Sequence, residues 1–325
     1  MREKILEVIL DNEKEFISGE ELSKKLRISR TAIWKHIRIL RSQGYNIESV
    51  NKKGYRLVDE PTDLLNPQNI YRNLKTKFIG KNVLHFETID STNDYAKKIG
   101  NELRDGSVII SEEQTKGKGR LGRVWESKAG EGIWMSIILK PNIIPNKAPF
   151  ITLIAGASIV KALNILGVDA KIKWPNDITI NNKKLSGILT ELSAEIERVN
   201  YIVVGIGMNV KDTDFEEELQ DKATSLYKEN YNVSRVDIVK EILCQFEKLY
   251  LDYIEKDDKK EVLDICRQYS AIINKEIYVI KNDQKELVDC IGINEEGNLI
   301  IKNKDGNLEE IMSGEVSIRG VKGYV

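Results

Sequence analysis

The first sixty residues place their apolar positions with the period of a helix, and then with that of a hairpin. Ile5, Leu6, Val8, Ile9 and Leu10 give a first helix one apolar face. Ser18, followed three residues later by Glu21, forms a capping box that predicts a second helix running to about Leu26. Ser29 caps a third. There Ile33, Ile37 and Leu40 fall on one face, which leaves Arg30, Thr31, Lys35 and Arg38 outside. Gly44-Tyr45 through Gly54-Tyr55-Arg56 reads as a hairpin wing, with Lys52 and Lys53 near its tip. The pattern over 1–60 is a winged helix-turn-helix. A small helical bundle with a solvated basic face is the plainer alternative. Two prolines in the polar stretch Glu60-Pro61-Thr62-Asp63 to Asn66-Pro67 mark a linker over 61–67.

Beyond the linker the periods mix. Val83–Phe86, Val108–Ser111, Gly132–Leu139, Lys171–Trp174 and Tyr201–Val204 read as strands. Ile178–Ile180 and Leu185–Leu189 flank the polar turn Asn181-Asn182 as a hairpin. Phe150 to Val160 reads as a buried helix. Residues 211–232 are polar and acidic, and helices follow at 234–254 and 258–269. From Ile277 onward, short apolar runs alternate with Asn, Asp and Gly turns. The expected class is α+β. It comprises the winged helix-turn-helix, a central mixed-sheet domain over 68–270, and a small SH3-like β-barrel over 271–325.

Charge sharpens the N-terminal reading. The net charge of the chain is −1, which argues for no partner class. From Lys24 to Arg56, however, ten basic residues face only Glu48. Such a stripe is the footprint expected for DNA phosphates. Cys244, Cys266 and Cys290 have neither disulfide nor metal-site spacing, which suits a reducing cytoplasm. The opening Met-Arg-Glu-Lys-Ile-Leu-Glu lacks the apolar core of a signal peptide, and no run reads as a membrane span.

The candidate chemistry starts at Gln114-Thr115-Lys116-Gly117-Lys118-Gly119-Arg120-Leu121-Gly122-Arg123-Val124-Trp125. Exposed N–H groups in a glycine-rich loop form a concave anion site, and Lys116, Lys118, Arg120 and Arg123 add full charges. The spacing fits G-x-G-x-x-G, but the residues after Trp125 open a helix poorly, as a dinucleotide-binding turn must not. A kinase would need H-R-D and D-F-G motifs; His36 and His85 are the histidines, and neither precedes Arg-Asp. Arg123-Val124 stands where a Walker A loop needs Lys and then Ser or Thr. A solvated basic hairpin is the bland reading.

Three further segments change that weighting. They are Asp90-Ser91-Thr92-Asn93, then Lys173-Trp174-Pro175-Asn176-Asp177 with Lys184-Leu185-Ser186-Gly187 after it, and Gly205-Ile206-Gly207-Met208-Asn209. With the basic loop, and in this order, they resemble the biotin protein ligases. The helix-turn-helix before them makes nearly the whole chain similar to the bifunctional ligases that also repress the biotin operon. Leu121 stands where many members carry a second arginine.

The resemblance implies attack of the biotin carboxylate on ATP, with Mg2+, to give biotinyl-5′-adenylate. A lysine of a biotin carboxyl carrier protein, on acetyl-CoA or pyruvate carboxylase, then takes the biotin. By match to the family motifs, Lys184, Arg120 and Asp177 are the catalytic candidates. Ser91, Thr92, Asn93, Gln114, Gly117, Lys118, Gly119, Arg120, Lys184 and Gly187 are candidates for biotin. Lys118, Arg120, Arg123, Trp125, Asn176 and Asn209 are candidates for the nucleotide, and Asp177 is the candidate for Mg2+ through water. Ser29, Arg30, Thr31, Lys35, Arg38, Lys52 and Lys53 would face operator DNA. The resemblance also implies a homodimer when liganded, with the adenylate as corepressor. Plainer roles compete: helix capping at Ser91 or Thr92, a structural Lys173–Asp177 pair, and core packing for Trp125 and Trp174. Lipoate-type ligation, or a ligand-sensing repressor without ligase activity, are the competing functions.

Overall fold

Ser18 Oγ accepts from the N–H of Glu21 at 3.0 Å, so the capping box opens a helix where it was expected. The computed structural model describes the chain except for residues 13–14, 43–44, 60–62, 282–283, 314–315 and 322. Gly44 of the expected wing and Glu60, Pro61 and Thr62 of the expected linker lie outside the described residues. Two compact units result, Met1–Arg72 and Asn73–Val325.

The first unit runs α1 (Arg2–Leu10), α2 (Gly19–Leu26), α3 (Arg30–Ser42), β1 (Asn46–Val50), β2 (Gly54–Asp59) and α4 (Pro67–Tyr71). The apolar faces of the three leading helices meet at Ile5, Ile9, Leu22, Ile33, Ile37 and Leu40, and Ile47 and Leu57 of the hairpin close this core. Ile17 exchanges two backbone hydrogen bonds with Tyr55, each 2.9 Å, which ties the wing to the helices. Asn66 caps α4 and its side chain also reaches the Tyr45 hydroxyl. α4 therefore folds with the N-terminal unit, beyond the stretch expected as linker.

The second unit is built on a seven-stranded sheet. Its elements are β3 (Val83–Ile89), α5 (Thr92–Ile99), β4 (Val108–Gln114), β5 (Gly132–Leu139), α6 (Pro149–Ile165), β6 (Lys171–Lys173), β7 (Asp177–Ile180), β8 (Lys183–Ala194) and β9 (Val199–Asn209). The spatial order is β3-β4-β5-β9-β8-β7-β6. β3 and β4 are parallel, and the other pairs antiparallel. A helix apolar all round must be buried. α6 is such a helix, and it packs against α7 (Arg235–Lys256), α8 (Lys260–Gln268) and the sheet. Length and composition alone would let Pro145–Ile165 cross a membrane, but 72% of its apolar stretch is buried inside this unit. Arg235, at the start of α7, donates to Glu112 Oε2 at 2.8 Å and to the Gly132 carbonyl at 3.0 Å. Both side chains are buried, so removing one partner would cost about 3–5 kcal/mol.

A five-stranded antiparallel sheet follows: β10 (Glu276–Lys281), β11 (Gln284–Ile293), β12 (Leu299–Lys302), β13 (Leu308–Ile311) and β14 (Ser317–Gly320). β14 returns to pair with β10, in the order β13-β12-β11-β10-β14. This small all-β module is stitched to the edge of the larger sheet along β6. Ile172 N–H donates to the Tyr269 carbonyl and accepts at its own carbonyl from Ala271 N–H, both at 2.8 Å. Trp174 Nε1 donates to the Gly297 carbonyl at 2.9 Å, and Lys173 Nζ to the Tyr324 carbonyl at 2.7 Å. Trp174 is buried in the core and also borders a cavity of this unit.

Candidate active site

Two adjacent strands bring the centre of the site together. A bulge places Lys184 of β8 opposite Thr179 of β7. Residues two apart on a strand share a face. Lys184 therefore stands on the face from which Asp177 projects, and its Nζ lies 2.6 Å from Asp177 Oδ1. The other oxygen, Oδ2, accepts from the Tyr324 hydroxyl. Burial pushes the Asp177 carboxyl up, but Lys184, Tyr324 and Lys173 together outweigh it and hold it below the usual carboxylate range. Lys173 makes no structural ion pair with Asp177 of the kind weighed from sequence; it sits beneath the Tyr324 ring, 3.4 Å from the centroid. Burial pulls its ammonium down to about 7, and Arg319, Lys184 and Arg123 act in the same sense against Asp177.

The basic loop folds back on itself above this pair. Trp125 N–H donates to the Gly117 carbonyl and Gly119 N–H to the Arg123 carbonyl, at 2.9 and 2.8 Å. Gly122 has φ +72°, a conformation other residues adopt only at a cost. A Cβ at Gly117 would lie 2.3 Å from the Trp125 carbonyl, so this glycine serves the loop's own closure and lines neither of the two adjoining cavities. Gly119 is open by comparison. Arg120 donates to Asn176 Oδ1 at 2.9 Å and reaches the Val316 carbonyl at 3.5 Å. Lys118 pairs with Asp94 of α5 at 2.6 Å. Leu121 and Val124 are strongly exposed.

Two cavities meet here. The inner one, about 40 Å3, is lined by Ser91, Thr92, Asn93, Gln114, Lys118 and Gly187 among others. The outer one, about 510 Å3, is lined by Arg123, Asp177, Asn209, Lys222, Arg319 and Tyr324 among others. Gly119, Arg120, Trp125, Asn176 and Lys184 line both. The inner wall is a fixed polar network. Thr92 N–H donates to Gln114 Oε1 at 2.8 Å, Gln114 Nε2 to Ser127 Oγ at 2.9 Å, and Ser136 Oγ to Asn93 Oδ1 at 2.6 Å. Asn93 Nδ2 donates to Glu191 Oε2 at 2.9 Å. Ser91 also caps α5, so capping and cavity lining coexist. The Trp125 Nε1–H is buried with no hydrogen-bond partner among the described residues. Such an orphan donor inside a polar cavity fits a bound ligand with acceptor atoms.

Comparison with known proteins settles the family. The biotin/lipoate A/B protein ligase family model matches residues 85–209, an HTH domain model 1–56, and a biotin protein ligase C terminal domain model 272–319. The chain is 38% identical over 323 residues to the bifunctional ligase/repressor BirA of Bacillus spizizenii, covering 98% of each. It is 32% identical to that of Escherichia coli, covering 95% of this chain and 94% of the relative. The chain belongs to the bifunctional ligase/repressor family. Among solved structures, this member of the family resembles the biotin protein ligase from Aquifex aeolicus in complex with biotin and ATP. The TM-score is 0.65 and the identity 30%, over 74% of this chain and 99% of the other.

In this ligase/repressor, every expected site residue of the second unit except Gly117 lines one or both cavities. Sequence reasoning missed Ser136, Glu191, Arg319 and Tyr324. Residues 211–232, expected as a loop that orders over the nucleotide, touch β8 at Lys222 and Thr224. Lys184 N–H donates to the Lys222 carbonyl at 2.7 Å, and Thr224 N–H to the Lys184 carbonyl at 2.9 Å. Asn209 Nδ2 donates to the Thr224 carbonyl at 3.1 Å. For Mg2+, Asp177 Oδ2 accepts from Tyr324 and Oδ1 is ion-paired with Lys184 without a well-formed hydrogen bond, and no three of His, Cys, Asp and Glu converge among the described residues. A cage built from protein oxygens alone does not fit. These donors suit a cation carried on phosphate oxygens, with Asp177 behind its water shell.

In the N-terminal unit, Ser29 caps α3, accepting from Ala32 N–H at 3.2 Å. Arg30, Thr31, Lys35 and Arg38 are exposed on that helix, and Lys52 and Lys53 on the wing tip. Trp34 lies among them, 49% exposed, with the Arg38 guanidinium 5.5 Å from its ring. Sequence reading did not single it out.

Proposed function

We propose that this chain activates biotin with ATP, transfers it to a lysine of a biotin carboxyl carrier protein, and represses biotin genes. The observation that carries the ligase reading is the junction of two cavities at Arg120, Asn176 and Lys184. A carboxylic acid does not acylate an amine at neutral pH, because oxide is a poor leaving group. A biotin carboxylate oxygen attacks the α-phosphorus of ATP, the bond to the β-phosphate breaks, and pyrophosphate leaves. The acceptor amine then attacks the acyl carbon of the adenylate, the bond to AMP breaks, and the amine loses a proton. Both steps gather negative charge where the biotin half meets the nucleotide half. Preorganised cations and N–H donors at that place are the main catalytic device.

We assign Lys184 and Arg120 to that charge, and Asp177 to orienting Lys184. Ser91, Thr92, Asn93, Gln114, Lys118, Gly119 and Gly187 serve the biotin side, with Gly117 acting through the Trp125 backbone. Arg123, Trp125, Asn176 and Asn209 serve the nucleotide side. Mg2+ bound with ATP supplies charge neutralisation on the phosphates. Residues 1–60 bind operator DNA, 68–270 carry the ligase site, and 271–325 complete its wall. The acceptor belongs to acetyl-CoA or pyruvate carboxylase, and the setting is the cytoplasm.

A single winged helix covers too little DNA for tight repression, and such modules act as dimers on spaced half-sites. Biotinyl-adenylate is the corepressor of a liganded homodimer. Linkage then requires dimerisation to tighten adenylate binding by the factor that adenylate tightens dimerisation. Sedimentation with and without biotinyl-adenylate tests this; equal dimerisation constants would end it. The ligase reading is tested by incubation with ATP, Mg2+ and a carrier domain, with biotin or lipoate, scored by mass. A carrier mass gain with biotin supports it. A gain with lipoate alone, or none, rejects it.

A further inference from the structure

We propose that Tyr324 is a positioning residue for adenylate formation: its hydroxyl fixes the Asp177 carboxylate, which in turn holds Lys184 at the junction of the two cavities. The inference rests on the assignment of Lys184 to the reacting groups. Lys184 Nζ contacts one Asp177 oxygen at 2.6 Å, and the Tyr324 hydroxyl donates to the other. A carboxylate held at one oxygen can still turn about its terminal torsion, whose wells are broad. A donor on the second oxygen removes that freedom. The partner is a lysine, a point charge on a flexible stem that does not orient itself. Small errors in placing a reacting group cost rate steeply.

The tyrosine is itself held from below. Lys173 faces Asp177 across the β6–β7 register, is 2% exposed, and donates to the Tyr324 carbonyl at 2.7 Å while lying 3.4 Å from its ring centroid. Arg319 of β14 lies 5.6 Å from the same ring. Backbone and ring are thus anchored independently of the hydroxyl. Burial and the Asp177 charge push the Tyr324 phenol well up, so it remains a donor. A phenylalanine would fill the same space and keep the same anchors. The hydroxyl serves Asp177 and also meets the Arg319 side chain, while packing of the ring does not require it.

The test uses the full chain with ATP, Mg2+ and biotin, reading single-turnover adenylate formation, KM for biotin and Tm. Tyr324→Phe should slow adenylate formation by about 10-fold, the loss expected for one hydrogen bond to a charged group. Its KM for biotin should match the parent chain, since the inner cavity is untouched, while its Tm should fall by a few degrees because Asp177 Oδ2 loses a buried donor. In an Asp177→Asn background the same change should add less than about 2-fold, because the two act through one contact. Tyr324→Phe at the parental rate would overturn the inference, as would losses that simply multiply with Asp177→Asn. A parent chain that forms no adenylate would overturn the ligase reading as well. A parent chain that does, beside an unimpaired Tyr324→Phe, would overturn the inference alone.

Discussion

Gly187 and Gly207 are paired across β8 and β9, and the indole of Trp125 lies over both. A Cβ built on Gly207 would come within 2.7 Å of the Trp125 ring, and one on Gly187 within 3.1 Å. The two glycines make a floor flat enough for the ring to seat at the cavity junction. Gly207→Val should displace Trp125, and overpacking of this kind costs about 1–3 kcal/mol. Biotin affinity should fall roughly 10-fold while far-UV circular dichroism stays unchanged. Parental affinity by calorimetry would show that the ring tolerates the change.

Lys184→Ala removes the cation from the junction but keeps the backbone bonds to residues 222 and 224. Adenylate formation should drop about 10-fold or more, measured well below the Tm of the variant. A single-turnover rate equal to the parent's would remove Lys184 from its assigned role.

On the N-terminal unit, Arg38→Ala should weaken operator binding and reduce the slope of log affinity against log salt by about 1. Biotin ligation should be untouched. If the salt slope did not change, Arg38 would not be a phosphate contact. Trp34→Ala should also loosen binding, with the slope kept, because an indole carries no charge.

The cysteines should differ in reactivity. Burial pushes the Cys266 and Cys290 thiols up to about 12. Raised this far, each is thiolate in roughly 1 molecule in 10,000 at pH 8, and the thiolate is the reacting form. Cys244 is only partly buried. Iodoacetamide on the native chain should therefore mark Cys244 first, by peptide mass; faster labelling of Cys266 would contradict the burial.

Much of this was legible in the sequence because the informative contacts are local or periodic. The Ser18 box, the α3 face and the glycine loop each span a few residues. Lys184 and Asp177 flank one short hairpin, so their meeting needed only a register. Tyr324 was not legible, because its partner lies 147 residues away, on β7 of the larger sheet. Trp34 was not singled out; the helical turn of one residue carries it round from the Ile33 face to solvent. β8 runs to Ala194, past the expected Leu189, since its outer half is polar and reads as a loop while pairing still with β9. The contact of the 211–232 segment with β8 was not legible for a related reason. Its hold on Lys184 is through backbone atoms, which composition does not report.

The stitching along β6 has a consequence for descent and for engineering. Ile172, Lys173 and Trp174 bond to Tyr269 and Ala271, to Tyr324 and to Gly297 in turn. Three successive positions answer to three separate places in the last fifth of the chain. A buried donor stranded without its acceptor costs about 1–3 kcal/mol. Chimeras that graft a relative's final strands onto this sheet inherit those obligations together. Residues 172–174 and the grafted segment must be exchanged as one heritable block, even though they look like separable modules when the chain is read end to end.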